Sequence, residues 1–224
     1  MKQKQIRTDR NAGFSLLELL IAMTVTITVL GITSTLIAGS FRIRLREDRR
    51  SDAIADAQRA INIMSREIAT SGFGLVDNGI VPGDTSTGSI RFRTNLNAYR
   101  NEAGSSTVSE QDEDVKYQMY DDEEAGRHYL VRFDVNKGGA NPKDGITVLA
   151  NRLDSLDITY YNSAGATLDV DTDPSLIMSA VRLMITVSVT LPEEGTPGSD
   201  NYQPASQTQL VSEVVLRNAN QLTY

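Results

Sequence analysis

The longest apolar run of this chain lies near its N-terminus. From Phe14 to Ala38 there are 25 residues with a single charged side chain, Glu18, and the apolar character continues to Phe41. About 20 apolar residues are enough for a helix to cross a bilayer. The pattern therefore predicts a transmembrane helix over residues 14–41, behind a short leader of residues 1–13.

A cleavable secretory signal is an alternative explanation of the same run. Its apolar region normally has only about 7–15 residues, which is shorter than the run observed here. Ala38-Gly39-Ser40 nevertheless forms a small-x-small cleavage pattern directly after the run. Cleavage at that point and a simple uncleaved anchor both stay open as interpretations of the pattern alone.

Beyond the apolar run, hydrophobic residues recur at helical spacing along one side. A helix with such a stripe packs it against a core. The stripe consists of Ile54, Ala57, Ile61, Met64 and Ile68. We therefore predict one helix from residue 14 to about residue 70, with an amphipathic continuation over 42–72 that ends at Gly72 and Gly74. Two helices broken near residues 42–50 are the alternative.

After residue 72 the period changes from helical to alternating, which is typical of strands. The clearest alternation places six apolar residues at every second position from Val181 to Leu191. Shorter segments of the same kind lie at 90–93, 115–119, 129–135 and 156–160, a short apolar strand is predicted at 146–149, and a final strand at about 208–217. We expect the strands at 181–191 and 208–217 to form an antiparallel hairpin. The predicted fold class is α+β, with the long N-terminal helix packed on an antiparallel β-sheet and residues 73–224 forming a β-rich globular domain.

Composition narrows the function further. The 224 residues carry a net charge of −7, and the chain without residues 1–13 would have 18 basic and 28 acidic residues, a net charge of −10. A nucleic-acid binder would show a basic footprint, which is missing. With no cysteine, the fold has no disulfide and no thiolate site. Basic residues flank the apolar run on both sides, so charge alone does not determine its orientation.

Candidate catalytic and metal-binding residues are sparse. His128 is the only histidine, no serine stands in a nucleophile pattern, and no phosphate-binding loop is present, so we expect no enzyme and no cofactor. The weak metal candidate is Asp169, Asp171 and Asp173, which resembles the opening of a calcium loop but has Pro174 at the glycine position and Ala180 at the glutamate position. The acidic clusters at 112–114 and 121–124 are expected to be solvated faces.

The start of the apolar run resembles a known signal. The residues are Gly13-Phe14-Ser15-Leu16-Leu17-Glu18-Leu19-Leu20-Ile21-Ala22-Met23. They are similar to the class III signal of type IV pilins and type II secretion pseudopilins. The resemblance implies cleavage after Gly13 by a membrane-embedded prepilin peptidase and N-methylation of Phe14. It also implies that Glu18 pairs with the N-terminal amine of a neighbouring subunit during assembly.

The chemistry of the residues is compatible with that implication. A carboxylate inside a membrane segment costs about 2.5–3.5 kcal/mol on insertion scales and is a functional hypothesis by default. A cut after Gly13 creates an ammonium four residues from Glu18, and a cation is the partner that makes such a carboxylate tolerable. Because the two groups share a helix face, pairing within one chain and pairing between chains are both geometrically possible.

Later segments resemble the minor pilin subfamily PilW, which is related to the type II secretion pseudopilin J. These segments, read in order, are 59–68 with 71–74, 151–153 with 156–161, 180–183 and 215–218. The resemblance implies an inner-membrane subunit that primes a type IV pilus, with a place at the fibre tip as a further expectation. Its partners would be the prepilin peptidase, other minor pilins, the major pilin, the assembly platform and membrane lipid.

Two other functions compete with the minor pilin. One is the minor pseudopilin of a type II secretion system, and the other is a membrane-tethered periplasmic enzyme or binding domain. The implied location is the inner membrane, crossed once with the N-terminus cytoplasmic. The globular domain would lie in the periplasm and then on the pilus or cell surface.

Overall fold

The computed structural model describes residues 15–98, 108–122, 127–137, 142–151, 153–199 and 202–219. The chain divides into two compact units, Met1–Asp48 and Arg49–Tyr224. Helix α1 covers Leu16–Ile68 without interruption. The alternative of two helices broken near residues 42–50 is therefore wrong, and the prediction of one long helix is confirmed. No proline or glycine lies in the 42–50 segment to stop the helix.

Within the described residues, eight strands form two four-stranded antiparallel sheets. The strands are β1 Ser89–Arg93, β2 Asp114–Asp122, β3 Arg127–Asp134, β4 Ile146–Ala150, β5 Ser155–Tyr161, β6 Thr167–Leu168, β7 Arg182–Leu191 and β8 Ser206–Val215. The first sheet has the order β1-β2-β3-β4 and the second β6-β5-β7-β8. The α+β prediction is confirmed, with two sheets in place of one. The predicted hairpin is β7 with β8, paired in register from Arg182↔Val215 to Leu191↔Ser206.

The part of α1 in the second unit buries a stripe against this sheet core. Its buried residues are Ala53, Ala57, Ala60, Ile61, Met64 and Ile68. The predicted stripe is confirmed, except that Ile54 is only half-buried and alanines at 53 and 60 widen the stripe. Small side chains at these positions let a helix approach a sheet closely. Ser65 Oγ lies 2.9 Å from Ser212 Oγ, which ties α1 to β8.

After Ile68 the chain turns back and closes the edge of β1. Gly72 and Gly79 adopt left-handed φ values of 76° and 74°. The Gly72 N–H donates to the Arg93 carbonyl, and the Arg93 N–H donates to the Gly79 carbonyl at 2.7 Å. The Val81 N–H donates to the Arg91 carbonyl. Gly72, one of the two glycines predicted to end the helix, thus also positions the chain against the first sheet, together with Gly79.

Strand β3 shows that alternation does not reveal which face is buried. Its apolar residues Tyr129 and Phe133 are only half-buried, whereas Leu130 is fully buried in the core. Arg132, which shares the inner face with Leu130, reaches α1. Successive side chains of a strand point to opposite faces, so the set at 129, 131 and 133 lies on the outer face of the first sheet.

Candidate functional site: the apolar segment of the N-terminal helix

The first part of α1 presents an apolar surface that no other described residue covers. Every residue from Ser15 to Ala38 is exposed, including Leu16 at 83% and Leu36 at 68%. Its most apolar 18-residue window has a mean hydropathy of 2.1 and is 0% buried. By length and composition, this helix can cross a membrane. Water would disfavour so large an apolar surface, which indicates that another apolar phase covers it.

Hydroxyl side chains in this segment are satisfied by the helix itself. Thr26 and Thr28 donate to the carbonyls of Ala22 and Thr24 at 2.7 and 2.8 Å. The same type of bond is made by Thr24, Thr33, Ser34, Thr35 and Ser40. In a lipid phase each unsatisfied polar group costs several kcal/mol. The hydroxyls of the segment are therefore compatible with an apolar surrounding.

Glu18 is the exception among the polar groups of the segment. It lies in the first turn of α1, where the helix dipole favours a negative charge. Its carboxylate is exposed and has no hydrogen bond or ion pair with any other described residue. Gly13 and Phe14, the predicted cleavage and methylation residues, lie outside the described residues. The carboxylate therefore still needs a cationic partner if the segment is placed in lipid.

A second group of polar residues fixes the far end of α1 on the first sheet. Glu67 accepts hydrogen bonds from the Tyr117 hydroxyl at 2.7 Å and from Arg132 Nε at 2.9 Å. Arg132 also donates to Asp112 at 2.6 Å. Burial, followed by the adjacent Glu67 carboxylate, raises the pKa of the Tyr117 phenol far above its ordinary value. Burial disfavours the charge of Arg132, yet the hydrogen bond that it donates to Glu67 leaves its pKa raised.

The sequence analysis missed this network. One signal was present: Tyr117 was predicted on an apolar strand face, and a buried tyrosine hydroxyl requires a partner. The identity of that partner could not be inferred, because Glu67 precedes Tyr117 by 50 residues. The network is therefore a structural anchor between α1 and β2–β3.

The expectation of a solvated acidic face at residues 112–114 is wrong for two of the three carboxylates. Glu113 is fully buried and accepts from the backbone N–H groups of Leu96, Ser109 and Glu110. Asp114 is 4% exposed, and both of its carboxylate oxygens accept hydrogen bonds from Arg91, at 2.7 and 2.9 Å. A carboxylate tolerates burial when such donors replace its water.

Arg91 connects this acidic group to a second carboxylate. It also donates to Asp84, and this hydrogen bond lowers the pKa of Asp84 below its ordinary value. In the cluster at 121–124, Asp121 is exposed and pairs with His128, and residues 123 and 124 lie outside the described residues. These acidic residues stabilise loops and strand ends.

The three residues proposed as a weak metal site, Asp169, Asp171 and Asp173, have separate hydrogen-bond partners. Hydrogen bonds from the side chain and then from the backbone N–H of Thr172 lower the pKa of Asp169. Asp173 caps the short helix Pro174–Ser179 by accepting from the Ser175 N–H. Asp171 instead accepts from Thr87 on another segment. Among the described residues, no group of three or more histidine, aspartate or glutamate side chains is arranged to hold a metal ion.

His128 is half-exposed, and its Nδ1 lies 2.7 Å from Asp121 Oδ1. No described serine is hydrogen-bonded to it, so a nucleophilic triad is not formed within the described residues. Tyr161 lies outside the core under the Arg182 guanidinium at 4.6 Å, while Tyr160 is fully buried. Successive strand side chains point to opposite faces, so core packing accounts for Tyr160 and leaves Tyr161 outside the core.

No protein-family model matches this sequence, and comparison with curated proteins found no significant match. The chain has a long apolar N-terminal helix followed by a sheet domain, an architecture compatible with a pilin-like fold. Any more specific assignment depends on the residues around Gly13 and Glu18.

Proposed function

We propose that this chain is a minor pilin of a type IV pilus, a non-enzymatic subunit anchored in the inner membrane. The proposal is supported by the combination of a local sequence motif with the structure of the helix that follows it. A glycine, an aromatic residue and a glutamate stand in the pilin-like spacing, directly at the start of a helix that is apolar and exposed from residue 15 to residue 38. The same helix ends as part of a sheet core.

In the proposed function, the residues at the start of the apolar segment take part in processing and in assembly of the fibre. Prepilin peptidase cuts after Gly13 and methylates the new amine of Phe14. Glu18 then meets the methylated amine of a neighbouring subunit, and each group removes the cost of burying the other in lipid. Further partners are the other minor pilins, the major pilin and the inner-membrane assembly platform. The chain binds no nucleic acid and needs no cofactor.

The proposed topology follows from the processing. The peptidase acts on the cytoplasmic side, so residues 1–13 are cytoplasmic and the apolar segment crosses the membrane once. The globular part is then periplasmic and reaches the pilus or cell surface when the fibre grows. The acidic charge of that part and its lack of cysteine are compatible with either location.

The first test is the N-terminal mass of the protein purified from membranes of cells with and without the prepilin peptidase. The expected product starts at Phe14, is heavier by one methyl group, and is absent without the peptidase. An intact Met1 would contradict the proposal. A terminus near Ser40 would contradict it as well, in favour of a conventional secretory signal.

A second test separates an assembling subunit from a tethered domain. We expect Glu18→Gln to be cut and inserted normally but to lose at least about tenfold of its incorporation into fibres, because the charge pair is gone. Thr24→Val is the matched control, since it changes one polar side chain of the same exposed segment. Full incorporation of Glu18→Gln would favour the tethered domain.

The minor pseudopilin of a type II secretion system is the second candidate, favoured because the PilW subfamily, which the later strands resemble, is related to pseudopilin J. Deletion of the gene distinguishes the two machines. Loss of surface pili with normal protein secretion supports the minor pilin, and loss of secretion with normal pili supports the pseudopilin.

A further inference from the structure

Positive charge is concentrated directly after the apolar segment of α1. Five arginines and two carboxylates lie within residues 42–50, which gives this stretch a net charge of +3. The arginines are Arg42, Arg44, Arg46, Arg49 and Arg50. Beyond residue 50 the chain is acidic, with 13 basic and 25 acidic residues. The end of the apolar segment is therefore the place where this otherwise acidic chain attracts anions.

Two of these arginines lack a partner within the chain. Arg42 and Arg44 are exposed, and neither has a hydrogen bond or ion pair with any other described residue. Glu47 and Asp48 lie about one turn after Arg44, yet no ion pair forms between them and Arg44. Arg46, by contrast, is only 8% exposed and already has an interaction. The guanidinium groups of Arg42 and Arg44 can therefore bind an anion from outside the chain.

A shallow groove on one face of α1 leads to Arg44. Its volume is about 260 Å³, and its lining residues recur every three or four positions: Thr33, Leu36, Ile37, Ser40, Phe41 and Arg44. The hydroxyls of Thr33 and Ser40 donate to helix carbonyls, which leaves the groove largely apolar. At 1.5 Å per residue, the groove extends about 16 Å along the helix axis. One leaflet of a bilayer core is about 15 Å thick, so the groove has the length of one lipid chain within its leaflet.

The order of apolar groove and guanidinium defines the class of ligand. A phospholipid presents the same order, an acyl chain followed by a phosphate group. A free phosphate ion has no apolar part for the groove. Basic residues beside a membrane segment increase the binding of anionic lipid by about fivefold each. In a zwitterionic phospholipid the headgroup ammonium offsets the phosphate charge, so the net charge of +3 favours an anionic phospholipid.

We propose that Arg42 and Arg44 bind the phosphate groups of anionic phospholipids at the membrane surface where the apolar segment ends. One acyl chain lies in the groove from Thr33 to Phe41, and Arg44 binds the phosphate of the same lipid. Arg42, two positions earlier, lies on a different face of the helix and binds a second headgroup. The inference rests on the membrane anchor of the proposed function, and it is independent of cleavage after Gly13 and of fibre assembly.

The test uses the full chain carrying Phe41→Trp, in vesicles of phosphatidylcholine. The chain has no tryptophan of its own, so the substitution provides a single fluorescent reporter in the groove. Brominated lipid quenches this fluorescence on contact, and the vesicles contain brominated phosphatidylglycerol or brominated phosphatidylcholine at equal mole fraction. We expect phosphatidylglycerol to bind at least about fivefold more tightly than phosphatidylcholine at about 0.1 M salt. The preference should shrink at about 1 M salt, because salt screens exposed charges.

Variants in the same background then locate the site. Arg44→Gln should reduce the preference to about twofold or less, whereas Arg44→Lys keeps the charge and should retain most of it. Arg66→Gln is the matched control, because it removes an exposed arginine of the same helix 22 positions further along the sequence. Equal loss in Arg44→Gln and Arg66→Gln would overturn the proposal, and so would a preference that salt does not change. The salt measurement needs no arginine variant, so it does not depend on how the variants fold.

The outcomes separate this inference from the proposed function. Equal quenching by the two brominated lipids would contradict the anionic-lipid site alone. No quenching by either lipid would contradict the membrane anchor as well, and with it the proposed function. A second copy of this chain, which is acidic beyond residue 50, is the competing partner of the arginines. Quenching by both lipids that falls as the protein-to-lipid ratio rises would assign the arginines to self-association and overturn the proposal.

Discussion

Glu67 brings a negative charge to the contact between α1 and the first sheet. Its carboxylate is 32% exposed, whereas the Arg132 side chain that it binds is only 12% exposed. The arginine therefore has little water to replace a lost partner. Tyr117 is fully buried, so its hydroxyl also has no water to replace Glu67 as an acceptor. At the residue scale, the stability of the helix–sheet contact depends on one acceptor that serves two buried donors.

Glu67→Ala should lower the free energy of unfolding by about 2–3 kcal/mol, because it leaves the Tyr117 hydroxyl and Arg132 Nε without their acceptor, while Arg132 Nη2 keeps its hydrogen bond to Asp112. Asp56→Ala on the same helix removes an equal charge from an exposed pair with Arg59 and should cost less than about 0.5 kcal/mol. Chemical denaturation of the full chain in non-ionic detergent measures both. Equal losses would contradict the role given to Glu67.

At the scale of elements, the connection from α1 to β1 depends on a close backbone approach. Gly79 has a left-handed φ of 74°, and a Cβ there would overlap the Arg93 carbonyl oxygen and the Gly72 amide nitrogen. Both atoms belong to the hydrogen bonds that close the edge of β1. The position therefore requires glycine for two reasons, its dihedral angle and its packing.

A pair of glycine substitutions separates these two reasons. Gly165 has a φ of 80° but open space where its Cβ would lie. We expect Gly165→Ala to cost about 1–2 kcal/mol, the price of the left-handed conformation alone. Gly79→Ala should cost about 3 kcal/mol or more, because backbone overlap is added. Thermal unfolding of both variants provides the comparison, and equal shifts would show that packing at Gly79 is unimportant.

At the scale of the whole molecule, the second unit includes the last part of α1. Of the buried stripe, Ile61, Met64 and Ile68 are exposed by 2% or less. Burial of each such side chain contributes about 1.5–3 kcal/mol, and a domain is stable by only about 5–15 kcal/mol in total. The sheets without this helix segment would therefore lose most or all of their stability.

Two truncated chains test this dependence. A chain starting at Arg42 should be soluble without detergent and should unfold cooperatively. A chain starting at Phe73 retains all eight described strands but lacks the stripe, and it should aggregate or show no cooperative transition. Near-ultraviolet circular dichroism and size-exclusion chromatography distinguish the two results. Cooperative unfolding of the shorter chain would show that the sheets are stable without α1.

Local periodicity was sufficient to predict the elements. The apolar run and the stripe at Ile61 and Met64 predicted α1, and alternation together with short apolar segments predicted seven of the eight described strands. The two-residue strand β6 is too short to show alternation. The candidate processing and assembly residues Gly13, Phe14 and Glu18 come from a local motif as well, and their roles stay predictions.

Tertiary structure decided what depends on residues distant in sequence. Alternation with a period of two residues shows which side chains of β3 share a face. It does not show that the face with Phe133 is the outer one, because that depends on which elements pack against the sheet. Glu113 is buried because amide donors converge on it from Leu96 as well as from Ser109 and Glu110. Local sequence determines which elements form, and only packing determines which of their surfaces remain open.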